Sequence, residues 1–250
     1  GSRAAQFAVV VPTYIVHKKF YHAIVANLKE NMDEAVLLIT VFSNLAEAQD
    51  IAQGCTACNT NSTLEMRSLV FDAPYDPSRK YNYQAAKKLW ALKGAEQEHI
   101  MVLDSDFLLL RPIKMQDVVA TYEKVLYLSK SSVPMDHKVL ASVNSVLHTN
   151  FDFFPMELPW VFNRAKVAGL GEHLQREWNT VDWVEAIRVH PNMIFEIILY
   201  NLYVLSTDPG FYTRLIDPEL VVGKNLVFES ELADSQRLSM GIPPPGTSCR

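Results

Sequence analysis

HIMVLDSDFLLLRPI, residues 99–113, is the stretch on which the fold turns. Ile100, Met101, Val102 and Leu103 run directly into Asp104-Ser105-Asp106, and a second apolar group, Phe107 to Leu110, leads on to Arg111-Pro112. An uninterrupted apolar run with β-branched members fits a strand covered on both faces of a mainly parallel sheet. Acids placed where such a strand ends lie where open α/β sheets bind ligands. With Ser105 extended, Asp104 and Asp106 are expected to project to the same side. Two carboxylates so placed repel each other unless a cation lies between them. The pair therefore reads as a site for a divalent ion, Mg²⁺ or Mn²⁺, and for the phosphate oxygens that such an ion gathers. The plainer reading is a strand-end turn with two solvated acids; the apolar residues on both sides weigh against it.

Upstream, the pattern alternates. Residues 7–11 are a Val-rich run stopped by Pro12-Thr13-Tyr14, and residues 18–31 carry Phe20, Ile24 and Leu28 at helical spacing. Residues 35–42 read as a second buried strand, with Ser43 or Asn44 to cap a helix over 45–53. Residues 65–71 are a third strand, 72–80 a loop with two prolines, and 81–96 a helix. Strand, helix, strand, helix, strand, loop, helix, strand is the order of a doubly wound α/β half. This half holds neither GxGxxG nor GxxxxGK[ST], which leaves dinucleotide and P-loop readings without a foothold.

Beyond Pro112 the pattern loosens. Residues 115–124 are expected to be helical, 126–129 a short strand, and 138–147 either helix or strand. The aromatic, proline-rich stretch 148–162 is expected to be irregular and to line a groove. Helices are expected over 165–178, 181–188 and 193–205, the last apolar nearly all round and so buried. Three consecutive prolines near the end mark residues 241–250 as a disordered tail.

The 250 residues suffice for one large domain with ample core, and 49% apolar with 20% charged residues is ordinary for a folded chain. A net charge of −5, with no Lys/Arg run beyond two residues, speaks against nucleic acid as a partner. The apolar stretch 193–205 contains Glu196 and Asn201 and is too short to span a bilayer. Of three cysteines, Cys55 and Cys58 have CxxC spacing without the second pair a zinc site needs, which leaves a local disulfide or two free thiols. Gly1-Ser2 reads as a cloning remnant. Compartment thus stays open between the cytoplasm and, if an anchor was removed, the secretory lumen, where the Asn61-Ser62-Thr63 sequon would count.

The helix before the central strand adds to the site. Lys80, Gln84 and Lys88, four residues apart, share one face, while Tyr83, Ala86 and Trp90 form an apolar one. The two lysines suit a diphosphate and Gln84 a base, ribose or sugar hydroxyl; the alternative is a solvated helix face.

These residues carry a resemblance. Val9-Val10-Val11-Pro12-Thr13-Tyr14, then Tyr83-Gln84 with Lys88-Leu89, then Ile100 to Asp106, then Arg111-Pro112-Ile113, resemble the nucleotide-sugar glycosyltransferases of the GT-A fold. They are most similar to the bacterial- and viral-type families with a QxxxKL helix before LDxD, and the similarity is strongest over the first 113 residues. The resemblance implies a single α/β domain with a Rossmann-like, mixed but mostly parallel sheet flanked by helices. Residues 7–112 would form its nucleotide-sugar half and 113–240 its acceptor half. It implies a hexosyl- or pentosyltransferase that moves a sugar from a UDP- or GDP-sugar to a glycan or other hydroxyl acceptor. Asp106 would ligate Mn²⁺ or Mg²⁺, and Asp104 would share the ion or bind ribose beside Ser105. Pro12, Thr13 and Tyr14 would border the base, and Lys80, Gln84 and Lys88 the phosphates and sugar. Many such enzymes add a late metal-ligating His, but here no His follows His190. Either His190 serves by another path, or water and phosphate complete the ion's shell.

An inverting reaction also needs a base. Glu196, interrupting MIFEIILYNLY with Tyr200 one turn on, is the first candidate, because a carboxylate in apolar surroundings suits proton abstraction from a hydroxyl. A buried Glu bonded to backbone is the competing reading. Glu157, between Pro155 and Pro159, is the second candidate, and Phe153, Phe154, Trp160 and Phe162 are either sugar-stacking or core residues. Two other functions fit less. A DxD phosphatase wants Thr or Val where Leu108 stands, and a nucleotidyltransferase wants glycines that PTYIVHKK lacks. A catalytically silent sugar-binding module stays open.

Overall fold

The computed structural model describes residues 5–32, 36–59, 64–127, 133–155, 160–216 and 228–229. Its centre is a five-stranded sheet in the order β3-β2-β1-β4-β7, made from β1 (Phe7–Pro12), β2 (Val36–Phe42), β3 (Glu65–Val70), β4 (His99–Val102) and β7 (Trp160–Asn163). The first four run parallel, with Val9 opposite both Leu38 and Met101; β7 runs antiparallel to β4, with Trp160 opposite Val102. The fold is α/β with a mixed, mostly parallel sheet.

Both faces are covered, which is why β1 and β2 are apolar at nearly every position. On one side lies α1 (Lys18–Asn31), which turns Tyr21, Ile24, Val25 and Leu28 inward onto Val9 and Leu38, together with α2 (Leu45–Ala52) and α4 (Met115–Tyr122). On the other lie α3 (Lys80–Gly94), α5 (Pro134–Leu147), α6 (Arg164–Trp178), α7 (Trp183–Val189) and α8 (Glu196–Thr207), packed on Val10, Ile39, Ile100 and Phe162. The short strands β5 (Leu108–Leu109), β6 (Val125–Tyr127), β8 (Arg214–Ile216) and β9 (Phe228–Glu229) form two small ladders, β5-β9 and β6-β8. Cys55 and Cys58 form a disulfide beside α1, resolving the CxxC in favour of the local bridge. Among the described residues no helix is long and apolar enough to cross a membrane.

Several expectations change. Residues 138–147, open between helix and strand, are helix, because α5 starts at Pro134, a favoured first-turn residue, and buries Val139, Val143 and Val146. The stretch 148–162 is not wholly irregular, since β7 begins at Trp160. The last long helix starts at Glu196 rather than 193, so Glu196 opens it instead of interrupting it. Ser105 is not extended: Phe107 N–H donates to the Asp104 carbonyl at 3.0 Å, folding residues 104–107 into a turn. Glu157 and the tail 241–250 lie outside the described residues.

Candidate active site

Parallel strands bring their carboxyl ends to one edge, and there Pro12 at the end of β1, with Ser43 and Asp104 just past β2 and β4, surround a cavity of about 810 Å³. Because β7 runs the other way, its first residue, Trp160, reaches the same edge. Helices α3 and α8 close the cavity with Lys80, Gln84, Lys87, Lys88 and Glu196.

Asp104 and Asp106 occupy the turn after β4, and both open to the cavity. Asp106 is exposed, Asp104 is partly exposed, and Ser105 between them is buried with its hydroxyl 2.7 Å from His17 Nδ1. The turn is pinned on both sides: Leu103 N–H donates to the Val10 carbonyl, and the Asn27 side chain holds both backbone groups of Leu109, at 2.9 and 2.6 Å. The acids are felt by their neighbours. Burial raises the Tyr14 hydroxyl above its ordinary pKa and Asp106 and Asp104 add to that; burial lowers His17 while the same two acids oppose it.

Lys88 sits between two acids. Its ammonium lies 2.8 Å from Asp104 Oδ1 and 2.8 Å from Glu196 Oε1, and 4.5 Å from the centre of the Trp160 ring. Its side chain is 8% exposed and that of Glu196 5%. Burial works against the charge, but Glu196 and Asp104 outweigh it, so Lys88 stays protonated well above the usual lysine range. Glu196 is thus an ion-pair member, not the lone carboxylate expected, and at the start of α8 it also meets the favourable end of the helix dipole. Asn82 places it: the amide donates to the carbonyls of His190 and Asn192, and its oxygen accepts from Ile194 N–H, fixing the chain that leads into α8.

Lys87, one residue earlier, is buried differently. It donates to the Thr13 carbonyl and to Ser43 Oγ at 3.0 Å, with Glu47 Oε1 at 3.9 Å. Burial lowers its pKa to about 8, and the more distant Glu47 recovers only part. Glu47 in turn accepts from Ser43 N–H at 2.8 Å and Ile15 N–H at 3.2 Å, while Asn44 caps α2 through Glu47 N–H. The ends of β1 and β2 are thereby tied into one shelf.

Of the residues singled out from the sequence, Pro12, Tyr14, Lys80, Gln84, Lys88, Asp104, Ser105, Asp106, Trp160 and Glu196 line this one cavity. Thr13 does not: it is fully buried, and its hydroxyl has no hydrogen-bond partner among the described residues. Tyr200 is also directed elsewhere, accepting from Asn163 N–H at 2.9 Å and packing on Phe162. His190 stacks on Trp178 and closes a turn with Asn192, away from the cavity lining. Phe154 and Phe162 are core, and Phe153 packs against Phe151. Lys87, Glu47, His17 and Asn82 were not singled out from the sequence. The one available signal was Lys87 itself, flanked by Ala85-Ala86 and Leu89 on a helix that is buried nearly all round.

No protein-family model matches the chain, and no curated protein matches it. Among solved structures it is similar to the apo structure of WbbM, a bifunctional glycosyltransferase, with 12% identity and a TM-score of 0.45. That match covers 87% of this chain and 39% of WbbM. It is also similar to S. aureus TarS, with 17% identity and a TM-score of 0.37, over 66% of this chain and 29% of the other. The chain thus spans well under half the length of either.

Proposed function

We propose that this cavity binds a nucleoside-diphosphate sugar with a divalent cation and transfers the sugar to a hydroxyl acceptor. The observation that carries the reading is the convergence of Asp104 and Asp106 with Lys80, Gln84 and Lys88, in one cavity at the carboxyl edge of the parallel strands. The resemblance of VVVPTY, the QxxxKL helix and LDSD to GT-A glycosyltransferases supports it.

The donor set fits a hard cation. Two carboxylates share one turn open to the cavity, and the described residues hold no cluster of three or more candidate ligands around it. That suits Mn²⁺ or Mg²⁺, which keep water and substrate phosphate oxygens in their shell. Such an ion supplies charge stabilisation for the departing nucleoside diphosphate. The chain's own residues do the rest. Pro12 and Tyr14 border the base, with Ser105 beside the ribose. Lys80 and Lys88 donate to the diphosphate, and Gln84 to a sugar or ribose hydroxyl. Glu196, across Lys88 from the acids, takes the acceptor's proton. Trp160 and Phe195 form an apolar wall at that end.

The test is release of nucleoside diphosphate from a panel of UDP-, GDP- and dTDP-sugars with Mn²⁺ and a hydroxyl acceptor. Turnover with one donor, lost on chelation, bears the proposal out. A donor that binds without release assigns the chain as a silent sugar-binding module, and no binding from the whole panel overturns the reading.

A further inference from the structure

We infer that Lys88 is an exchangeable counter-ion, which is shared between Asp104 and Glu196 in the empty cavity and passes to the donor diphosphate when that arrives. The inference rests on the donor-site reading above and adds a coupling between its parts. A single ammonium lies 2.8 Å from each of two carboxylates that belong to different tasks. Asp104 is on the cation-gathering turn, and Glu196 opens the helix on the acceptor side. The three side chains form a closed charge set of −1 before any ligand enters.

Such a set is costly to leave half-made, because a buried charge that loses its partner keeps its desolvation penalty. While Oδ1 accepts from Lys88, part of the Asp104 charge is spent on the ammonium and would be less available to a divalent cation. The ammonium, on a flexible four-carbon stem over the Trp160 ring, has the diphosphate as its next partner in the same cavity. Once it has moved, Glu196 is left without its cation beside the acceptor. The base is then unmasked only when the donor is loaded.

The exchange predicts that Lys88 opposes cation binding and favours diphosphate binding, and that Glu196 acts on both through Lys88. The probes are Mn²⁺ alone, read by the resonance signal of the free ion, and inorganic pyrophosphate alone, read by calorimetry. Lys88→Met should tighten Mn²⁺ and weaken pyrophosphate, each by about tenfold, within the usual range for coupled sites. Glu196→Gln, which preserves shape, should do the reverse, since Lys88 then leans on Asp104 alone and is freer for an anion. A plain change of local field would make the two substitutions additive. Exchange instead requires the Glu196→Gln effect to vanish in the Lys88→Met background. Additive effects, or variants that move both probes in the same direction, overturn the exchange and leave the donor site standing. If Lys88→Met does not fold, Glu196→Gln decides alone: unchanged binding of both probes sinks the exchange. Wild-type protein that binds neither probe overturns the donor reading along with it.

Discussion

Lys87 and Lys88 are neighbours on α3, both nearly inaccessible, yet they anchor regions of opposite character. Around Lys87 the partners are a carbonyl, a hydroxyl and a carboxylate at 3.9 Å; around Lys88 they are two carboxylates at 2.8 Å. Burial pulls the first down to about 8, while close acids hold the second above the usual lysine range. About one ångström of ion-pair distance and one extra carboxylate therefore separate a lysine held by strand-end groups from one held between acids. The Lys87 region ties the strand ends together through Thr13, Ser43 and Glu47. The Lys88 region keeps a net charge of −1 from two carboxylates and one ammonium, and it opens to the cavity.

Substitutions on the Lys88 side should have the largest effects. Asp106→Ala is expected to abolish metal-stimulated turnover, by about 10³-fold or more, because several kcal/mol of charge stabilisation goes with it. Its melting temperature should stay near wild type, as Asp106 is exposed. Near-normal turnover in that variant would remove the distinction between the two regions. Glu196→Gln is next: transfer should fall about 10²-fold, the ordinary share of a general base, while donor binding persists. Equal loss of binding and transfer would make Glu196 structural.

Lys87→Met sharpens the contrast from the other side. It leaves the Thr13 carbonyl without its donor and should destabilise the fold by about 1–3 kcal/mol, with little change in the catalytic pH profile. The sign of its pH dependence follows from the lowered pKa. Between about pH 8 and the ordinary lysine value the unfolded chain binds the proton that the folded one has lost, so wild-type stability gains with rising pH. The variant lacks that gain, and urea melts of the pair across this window measure it; parallel curves would contradict the assignment. The smallest effect expected is that of reducing Cys55–Cys58. It closes a loop of only three residues' separation, so its loss should cost about 2 kcal/mol at most and leave donor binding unchanged.

The same contrast explains what the sequence made legible. β1, α1, β2, α3 and β4 follow from apolar runs and helical spacing, α2 from its cap, and α1 matches the expected 18–31. Asp104, Asp106, Lys80, Gln84 and Lys88 sit on local patterns that announce themselves as charged or polar side chains beside a buried element. Lys87 and Glu47 do not. Their roles depend on the pairing of β1 with β2 that brings the Thr13 carbonyl and the Ser43 hydroxyl within reach of one ammonium, a relation between distant residues. Glu196 was legible as a residue but not in its state, because its partner is 108 positions away in the chain. Tyr200 shows the limit of helical spacing: it follows Glu196 by one turn, yet its hydroxyl serves the backbone of β7.

In the proposed reaction the acids after β4 join a cation to a diphosphate. Calorimetric titration of UDP and GDP into wild-type protein and Asp106→Ala, each with and without Mn²⁺, tests it most directly. One nucleotide should bind wild type at least about tenfold more tightly when Mn²⁺ is present, and Asp106→Ala should show no such gain. Metal-independent binding of equal strength in both proteins would contradict the account.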